Sequence, residues 1–112
     1  MRKTIDPNEW SEFLTDFSNR NRGRRSRFEE FTRGSVAEED EEGVFESVSI
    51  QNAVVTISRL TANKTPIADH IENIHGIVVQ YDTDGSENTI EFMNPNGDMT
   101  VLHFESLVDG DS

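Results

Sequence analysis

The sequence predicts an α+β domain in which one N-terminal helix packs on a mostly antiparallel sheet of six or seven strands. Three observations support this fold class. An apolar stripe with helical spacing occupies residues 10–17. Segments rich in β-branched residues dominate from Gly43 onward, and two hairpin signals, Asp84-Gly85 and Asn96-Gly97, separate the last three of these segments. The length of 112 residues fits a single domain, residues 1–112, with one core.

The helix has a clear start and one apolar face. Asp6 is a suitable N-cap, and Pro7 fits the first helical position, where its missing N–H costs nothing. The apolar side chains recur at i, i+3, i+4 and i+7, and they are Trp10, Phe13, Leu14 and Phe17. A helix this short is marginal alone, so we expect it to bury Trp10, Phe13 and Phe17 against the sheet and to end before Gly23.

The strands are predicted from β-branched and aromatic runs between turn signals. In chain order the expected segments are Arg24–Thr32, Val44–Ile50, Val54–Leu60, Ile77–Asp82, Asn88–Asn94 and Met99–Phe104. Residues 1–4 and 107–112 are expected to fray, and residues 34–43 are expected to form an acidic loop.

Residues 65–75 allow two interpretations. Their isoleucines have helical spacing, and Thr65-Pro66 could cap and start a helix. The same segment could instead be a strand that pairs back across a turn at Asn63. Gly76 ends the element in either case.

Charge is divided unevenly along the chain. Residues 1–33 contain eight Lys/Arg and six Asp/Glu, whereas residues 34–112 contain two and sixteen, and the net charge is -12. This charge argues against binding to nucleic acid or to anionic membrane surfaces, and it leaves basic proteins and cations as candidate partners. Five arginines lie within Arg20–Arg27, and we expect them to lie against the acidic remainder of the chain; a phosphate-binding patch is the alternative.

Other features bound the compartment and the chemistry. There is no cysteine, so disulfides, thiol catalysis and thiolate metal sites are excluded. No stretch has the length of a membrane span or the apolar run of a signal peptide, which predicts a cytoplasmic protein.

The stretch from Gln80 to Glu91 partly matches a calcium-loop template. It places oxygen ligands at positions 3, 5, 9 and 12, which are Asp82, Asp84, Asn88 and Glu91, and it has a glycine at position 6. Gln80 at position 1 and Glu87 at position 8 depart from the template, and the flanks are typical of strands rather than helices. A β-turn also explains Asp84-Gly85 without any ion.

Candidate catalytic residues are few. His70, His75 and His103 have no diagnostic metal-ligand spacing, so structural or surface roles are favoured. There is no Gly-x-Ser-x-Gly elbow and no phosphate-cradling glycine loop. We therefore expect no enzymatic activity.

Several short motifs resemble an uncharacterised bacterial family, a domain of unknown function with an N-terminal W-x-x-F-L-x-x-F helix followed by a β-meander. The matching residues are Trp10–Ser18 with Gly23, His70-Ile71 with Asn73, Asp84-Gly85, Ile90-Glu91, Asn96-Gly97 and Thr100–Phe104. The chain departs from that family at Ile74, where the family has proline. The resemblance implies an extended path for Ile67–Ile71, and it implies no activity, substrate or catalytic residue.

Together these observations predict a non-catalytic protein-interaction module that binds a partner, with basic proteins as candidates, through its acidic surface or a sheet edge. The alternative is a calcium-responsive domain that uses Asp82, Asp84 and Glu91, with the acidic loop as a second site. A small enzyme ranks last. The sequence does not decide the oligomeric state.

Overall fold

The computed structural model describes residues 1–31, 38–39 and 42–105, and these residues form one α-helix and nine strands. A single 3-10 turn, Pro7–Glu9, leads into α1, Trp10–Asn21. The strands are β1 (Arg2–Thr4), β2 (Arg25–Phe31), β3 (Glu38–Glu39), β4 (Gly43–Gln51), β5 (Val54–Thr61), β6 (Pro66–Ile71), β7 (Gly76–Tyr81), β8 (Glu87–Met93) and β9 (Met99–Phe104). The predicted class, one N-terminal helix on an antiparallel sheet, is confirmed.

The strands form one sheet with β2 near its centre. Eight of them follow the order β1-β7-β8-β9-β2-β4-β5-β6, and β3 pairs with β2 off this path. All the pairings are antiparallel, and β2 pairs with β9 from Ser26↔Phe104 to Phe31↔Met99. Two meanders, β4-β5-β6 and β7-β8-β9, therefore flank β2, and β1 and β6 lie at the two ends of the path.

The prediction of six or seven strands is wrong, since the path alone has eight. The additional strand is β1, in residues 1–4 that the sequence predicts to be frayed. Its Arg-Lys-Thr sequence has no apolar alternation, so its own pattern does not specify a strand. Pairing with β7 and an ion pair of 2.7 Å between Arg2 and Glu91 hold it in place instead.

Two predicted flexible regions fall mostly outside the described part of the chain. Of the acidic loop predicted at residues 34–43, Glu38–Glu39 form β3 and Gly43 begins β4. Residues 34–37 and 40–41, and the predicted frayed segment 107–112, lie outside the described residues.

The ambiguous segment 65–75 contains a strand rather than a helix. β6 pairs with β5 from Leu60↔Pro66 to Val55↔Ile71. In this strand Ile67 and Ile71 lie with Asp69 on the half-buried face, and the alternate residues are exposed. The partner strand β5 thus decides between two structures that the spacing of the isoleucines allows, and it gives the extended path that the family resemblance implies.

Helix α1 covers the core of the sheet as its apolar stripe predicts. Leu14 and Phe17 are fully buried, while Trp10 and Phe13 pack on the core and stay partly exposed. The Phe17 ring centroid lies 5.8 Å from that of Phe45 on β4 and 5.6 Å from that of Phe104 on β9.

The helix start follows the prediction in part: Asp6 and Pro7 begin the 3-10 turn, and α1 itself begins at Trp10 after Glu9, whose side chain makes no capping hydrogen bond. The Asp6 carboxylate accepts a hydrogen bond of 2.9 Å from the Asn8 N–H, and Pro7 follows this cap. Within the described ranges, no helix is long and apolar enough to cross a membrane.

Candidate functional site

The four residues proposed as calcium ligands lie on the β7–β8 hairpin, and three of their carboxylates already bind other groups. The Asp84 Oδ1 accepts from both the N–H and the hydroxyl of Ser86, at 2.9 and 2.5 Å. These hydrogen bonds lower the pKa of the Asp84 carboxyl. The Asp82 Oδ1 accepts from the Thr83 N–H at 2.9 Å. The buried Glu91 carboxylate accepts from Arg2 at 2.7 Å and from Gln80 at 2.8 Å.

The extended backbone keeps these residues apart. Glu91 lies three positions after Asn88 on β8, a separation of about 10 Å at the rise of a β-strand. The helical flanks that curl a calcium loop around one ion are replaced here by strands. Among the residues that the structure describes, no group of three or more His, Cys, Asp or Glu side chains could hold a metal ion. Calcium binding by Asp82, Asp84, Asn88 and Glu91 stays a prediction.

The three histidines are spread over different elements. His103 on β9 lies 2.8 Å from a carboxylate oxygen of Glu29 on β2, and His70 on β6 lies 3.1 Å from the Thr56 hydroxyl on β5. His75 is exposed in the connection before β7. A groove of about 280 Å³ runs beside His103, and its lining residues are Arg25, Ser26, Arg27, Glu42, His103, Phe104 and Glu105.

Several arginines of the Arg20–Arg27 cluster bind oxygens of the same chain. Arg24 donates to the Glu87 carbonyl at 2.6 Å and to the Glu105 carbonyl at 2.8 Å. Its guanidinium carbon lies 4.7 Å from the centre of the Phe104 ring, and burial lowers the pKa of this guanidinium. Arg25 lies 3.4 Å from Glu42 at the surface. These contacts favour the predicted role of the cluster as an internal partner of the acidic residues.

Glu87 joins the end of α1 to the β7–β8 hairpin. Gln80 pairs with Thr89 and Tyr81 pairs with Glu87, so Asn88 is the extra residue of a β-bulge. The bulge lets Glu87 reach α1, where it accepts from Arg20 at 2.5 Å and from Asn21 at 3.0 Å.

A groove of about 530 Å³ lies next to this contact, and its lining residues are Arg20, Asn21, Arg24, Tyr81, Gly85, Ser86 and Glu87. The hydrogen bond with Glu87 raises the pKa of Arg20. Desolvation, followed by the nearby Glu87 charge, raises the pKa of Tyr81. Because Arg20 and Asn21 on α1 both bind Glu87 on β8, this network holds the end of α1 on the hairpin.

The outer edge of β6 is one of the two ends of the strand path, and β1 forms the other. Among the described residues, β6 pairs only with β5. The Thr61 N–H donates to the Thr65 carbonyl at 2.9 Å, which makes Thr61 and Thr65 a hydrogen-bonded pair. Bonded and non-bonded pairs alternate along an antiparallel ladder. It follows that the backbone groups of Pro66, Ala68 and His70 point away from β5.

The position of Pro66 agrees with this assignment. Proline has no N–H, and within sheets it is confined to edges and strand ends where no ladder bond is lost. On the outward side of β6, therefore, Ala68 and His70 each present an N–H and a carbonyl, and Pro66 presents a carbonyl only. The exposed side chains on this strand are those of Pro66, Ala68 and His70.

The inner face of β6 is fixed by a buried cation. The Arg59 side chain on β5 is fully buried, and its guanidinium carbon lies 4.6 Å from the centre of the Phe28 ring. A guanidinium nitrogen of Arg59 lies 3.2 Å from a carboxylate oxygen of Asp69. The ion pair joins β5 to β6 and holds the edge strand in one position, and within the described ranges no strand pairs with its outer side.

Comparisons with known proteins identify no relative: no protein-family model, no curated protein and no solved structure matches this chain. The candidate site therefore rests on the geometry alone. The sequence predicts a sheet edge as a binding surface but does not say which strand forms it. Pro66 is the sequence signal that identifies β6 as an edge, because proline within a sheet is confined to edges and strand ends.

Proposed function

We propose that this chain is a non-catalytic protein-interaction module that binds an extended segment of a partner protein along the outer edge of β6. The observation that supports this proposal is that the backbone groups of Ala68 and His70 point away from β5, on a strand at the end of the sheet. Addition of a strand to such an edge provides main-chain hydrogen bonds for affinity, and alternate side chains of the peptide provide specificity.

The charge of the chain favours a basic segment as the ligand. The net charge is -12, and near the edge Glu72 is exposed. Lys or Arg side chains of a bound peptide would lie in this negative field, and salt would screen the attraction. A cytoplasmic location is part of the same proposal.

The substitution Ala68→Pro tests the proposed edge. It removes an outward N–H and places a proline ring where the partner strand would lie. Since this N–H is not bonded to β5, the fold should tolerate the change. Ala68→Ser is the matched control, because it alters the same side chain and keeps the N–H.

The probe is a display library of random linear peptides, selected on the wild-type chain. We expect enrichment of basic peptides that bind wild type and Ala68→Ser equally. Ala68→Pro should bind them at least about tenfold more weakly, because one or two main-chain hydrogen bonds are lost. Unchanged affinity in a folded Ala68→Pro variant, verified by its amide spectrum, would reject the edge as the binding site.

A further inference from the structure

We infer that a second copy of this chain also occupies the edge: two β6 strands pair antiparallel across a two-fold axis, and one continuous sheet runs through both copies. This inference rests on the proposed function, since both use the outward backbone groups of β6. It adds a specific partner and a specific register.

The outward hydrogen-bonding groups select a register centred on Ala68. In this register the Ala68 residues of the two copies lie opposite each other and exchange two N–H···O bonds. The N–H of each His70 then meets the Pro66 carbonyl of the second copy. In the same pair, Pro66 has no N–H to donate to the His70 carbonyl of the other copy. The His70 carbonyl of each copy therefore lacks a donor.

The neighbouring two-fold registers are less favourable. A register centred on Asp69 places two like carboxylates directly opposite each other, which is destabilising in a sheet. A register centred on Ile67 places Pro66 opposite Ala68 of the second copy in the two pairs beside the axis, and each pair keeps only the bond from the Ala68 N–H because Pro66 has no N–H. The register centred on Ala68 keeps both bonds at the axis, moves the missing Pro66 donor two positions away from it, and places Asp69 opposite Ile67 rather than opposite a second carboxylate.

Charge complementarity favours the same register. Lys64 and Glu72 lie just beyond the two ends of β6, and both are exposed. Lys64 lies in the β5–β6 turn with a φ of 62°, and centring on Ala68 brings this turn close to Glu72 of the second copy at each end of the seam. The small Ala68 side chains at the axis let the two backbones approach without a steric clash.

The dimer should be weak and should strengthen with salt. A seam of one six-residue strand per copy buries far less than the roughly 1,200 Å² of a stable interface. Two copies that each carry a net charge of -12 also repel each other. Salt screens that repulsion and should therefore promote self-association, whereas the same salt should weaken the binding of basic peptides.

Sedimentation equilibrium over a range of protein and salt concentrations tests the inference on four chains. Wild type should associate more strongly as protein and salt concentrations rise, and Ala68→Pro should stay monomeric. Lys64→Glu should weaken association by about two- to tenfold at fixed salt, because it places like charges at both ends of the seam. The double variant Lys64→Glu/Glu72→Lys should restore the wild-type value.

The outcomes separate this inference from the proposed function. A wild-type chain that stays monomeric at high protein and salt concentrations overturns the dimer, while peptide binding lost in Ala68→Pro would still support the edge as a binding site. A dimer that persists in Ala68→Pro overturns the use of β6. If the double variant self-associates no more strongly than Lys64→Glu alone, the register centred on Ala68 is wrong.

Discussion

Replacement of Glu87 by Gln tests whether one buried carboxylate holds the C-terminal end of α1 on the β7–β8 hairpin. The Glu87 side chain is 8 % exposed and accepts from Arg20 at 2.5 Å and from Asn21 at 3.0 Å. Hydrogen bonds to charged groups contribute about 1.5–3 kcal/mol, and breaking a buried ion pair costs about 3–5 kcal/mol. Because the Arg20 side chain is 47 % exposed and can regain water, we expect the free energy of unfolding to fall by about 2–3 kcal/mol, which is closer to the value for a charged hydrogen bond than to that for a buried ion pair.

Urea denaturation of Glu87→Gln, Arg20→Met and the double variant measures this loss and its origin. The coupling energy of the two substitutions should be at least about 1 kcal/mol, as for residues within one network. Glu72→Gln is the control, since it removes an exposed carboxylate and should change stability by less than about 0.5 kcal/mol. A loss for Glu87→Gln no greater than that of the control, or a coupling energy near zero, would refute the anchoring role.

Three further predictions concern the core, a close backbone contact and the hairpin turn. Phe17→Ala should lower the free energy of unfolding by about 3–5 kcal/mol because the ring is fully buried, and Phe13→Ala should cost clearly less; equal urea midpoints for the two variants would contradict this. Gly43→Ala should cost about 1–3 kcal/mol, since its Cβ would lie 2.6 Å from the Leu60 carbonyl oxygen, and an unchanged thermal midpoint would be inconsistent with that approach of β4 to β5. Hydrogen bonds from Ser86 lower the pKa of Asp84 below 3.8, so its stabilising effect is present above the unfolded pKa and is lost as pH falls through the folded one. The gap in thermal midpoint between wild type and Asp84→Ala should therefore close in strong acid, and a gap that stays constant at every pH would argue against this role for the carboxylate.

The helix and the hairpins were predictable because their determinants are local. The Asp6 cap, the i, i+3, i+4, i+7 stripe and the Asp84-Gly85 and Asn96-Gly97 turns depend on residues a few positions apart. Gly85 and Gly97 adopt φ of 87° and 90° as hairpin turns of this kind require. In each case the residue that specifies the structure lies beside the structure that it specifies.

The elements that were missed depend on distant partners. β1 exists because β7 offers it an edge and Glu91 binds Arg2, and neither fact can be read from the sequence Arg-Lys-Thr. β6 was ambiguous because its isoleucines have helical spacing, whereas a turn at Asn63 allows the same segment to pair back as a strand. Pairing with β5 and the Arg59–Asp69 contact resolve that ambiguity.

The candidate site shows the same division. The spacing of Asp82, Asp84, Asn88 and Glu91 fits a calcium loop, but spacing along the chain does not determine distance in space when the flanks are extended. The Asn88 bulge, which turns Glu87 toward α1, has no local signal in the sequence. Backbone groups at a sheet edge carry no residue signature except for Pro66.

The place of β2 near the middle of the sheet has a consequence for synthesis on the ribosome. β9 is the strand that pairs with β2 along most of its length, from Ser26 to Phe31. The nascent polypeptide therefore leaves Phe28 and this edge of β2 unpaired until Phe104 has been synthesised. Folding of the sheet must wait for this late segment, and the unpaired edge of β2 makes the waiting chain prone to aggregate. Truncated products that stop before β9 should accumulate in inclusion bodies rather than as small folded fragments.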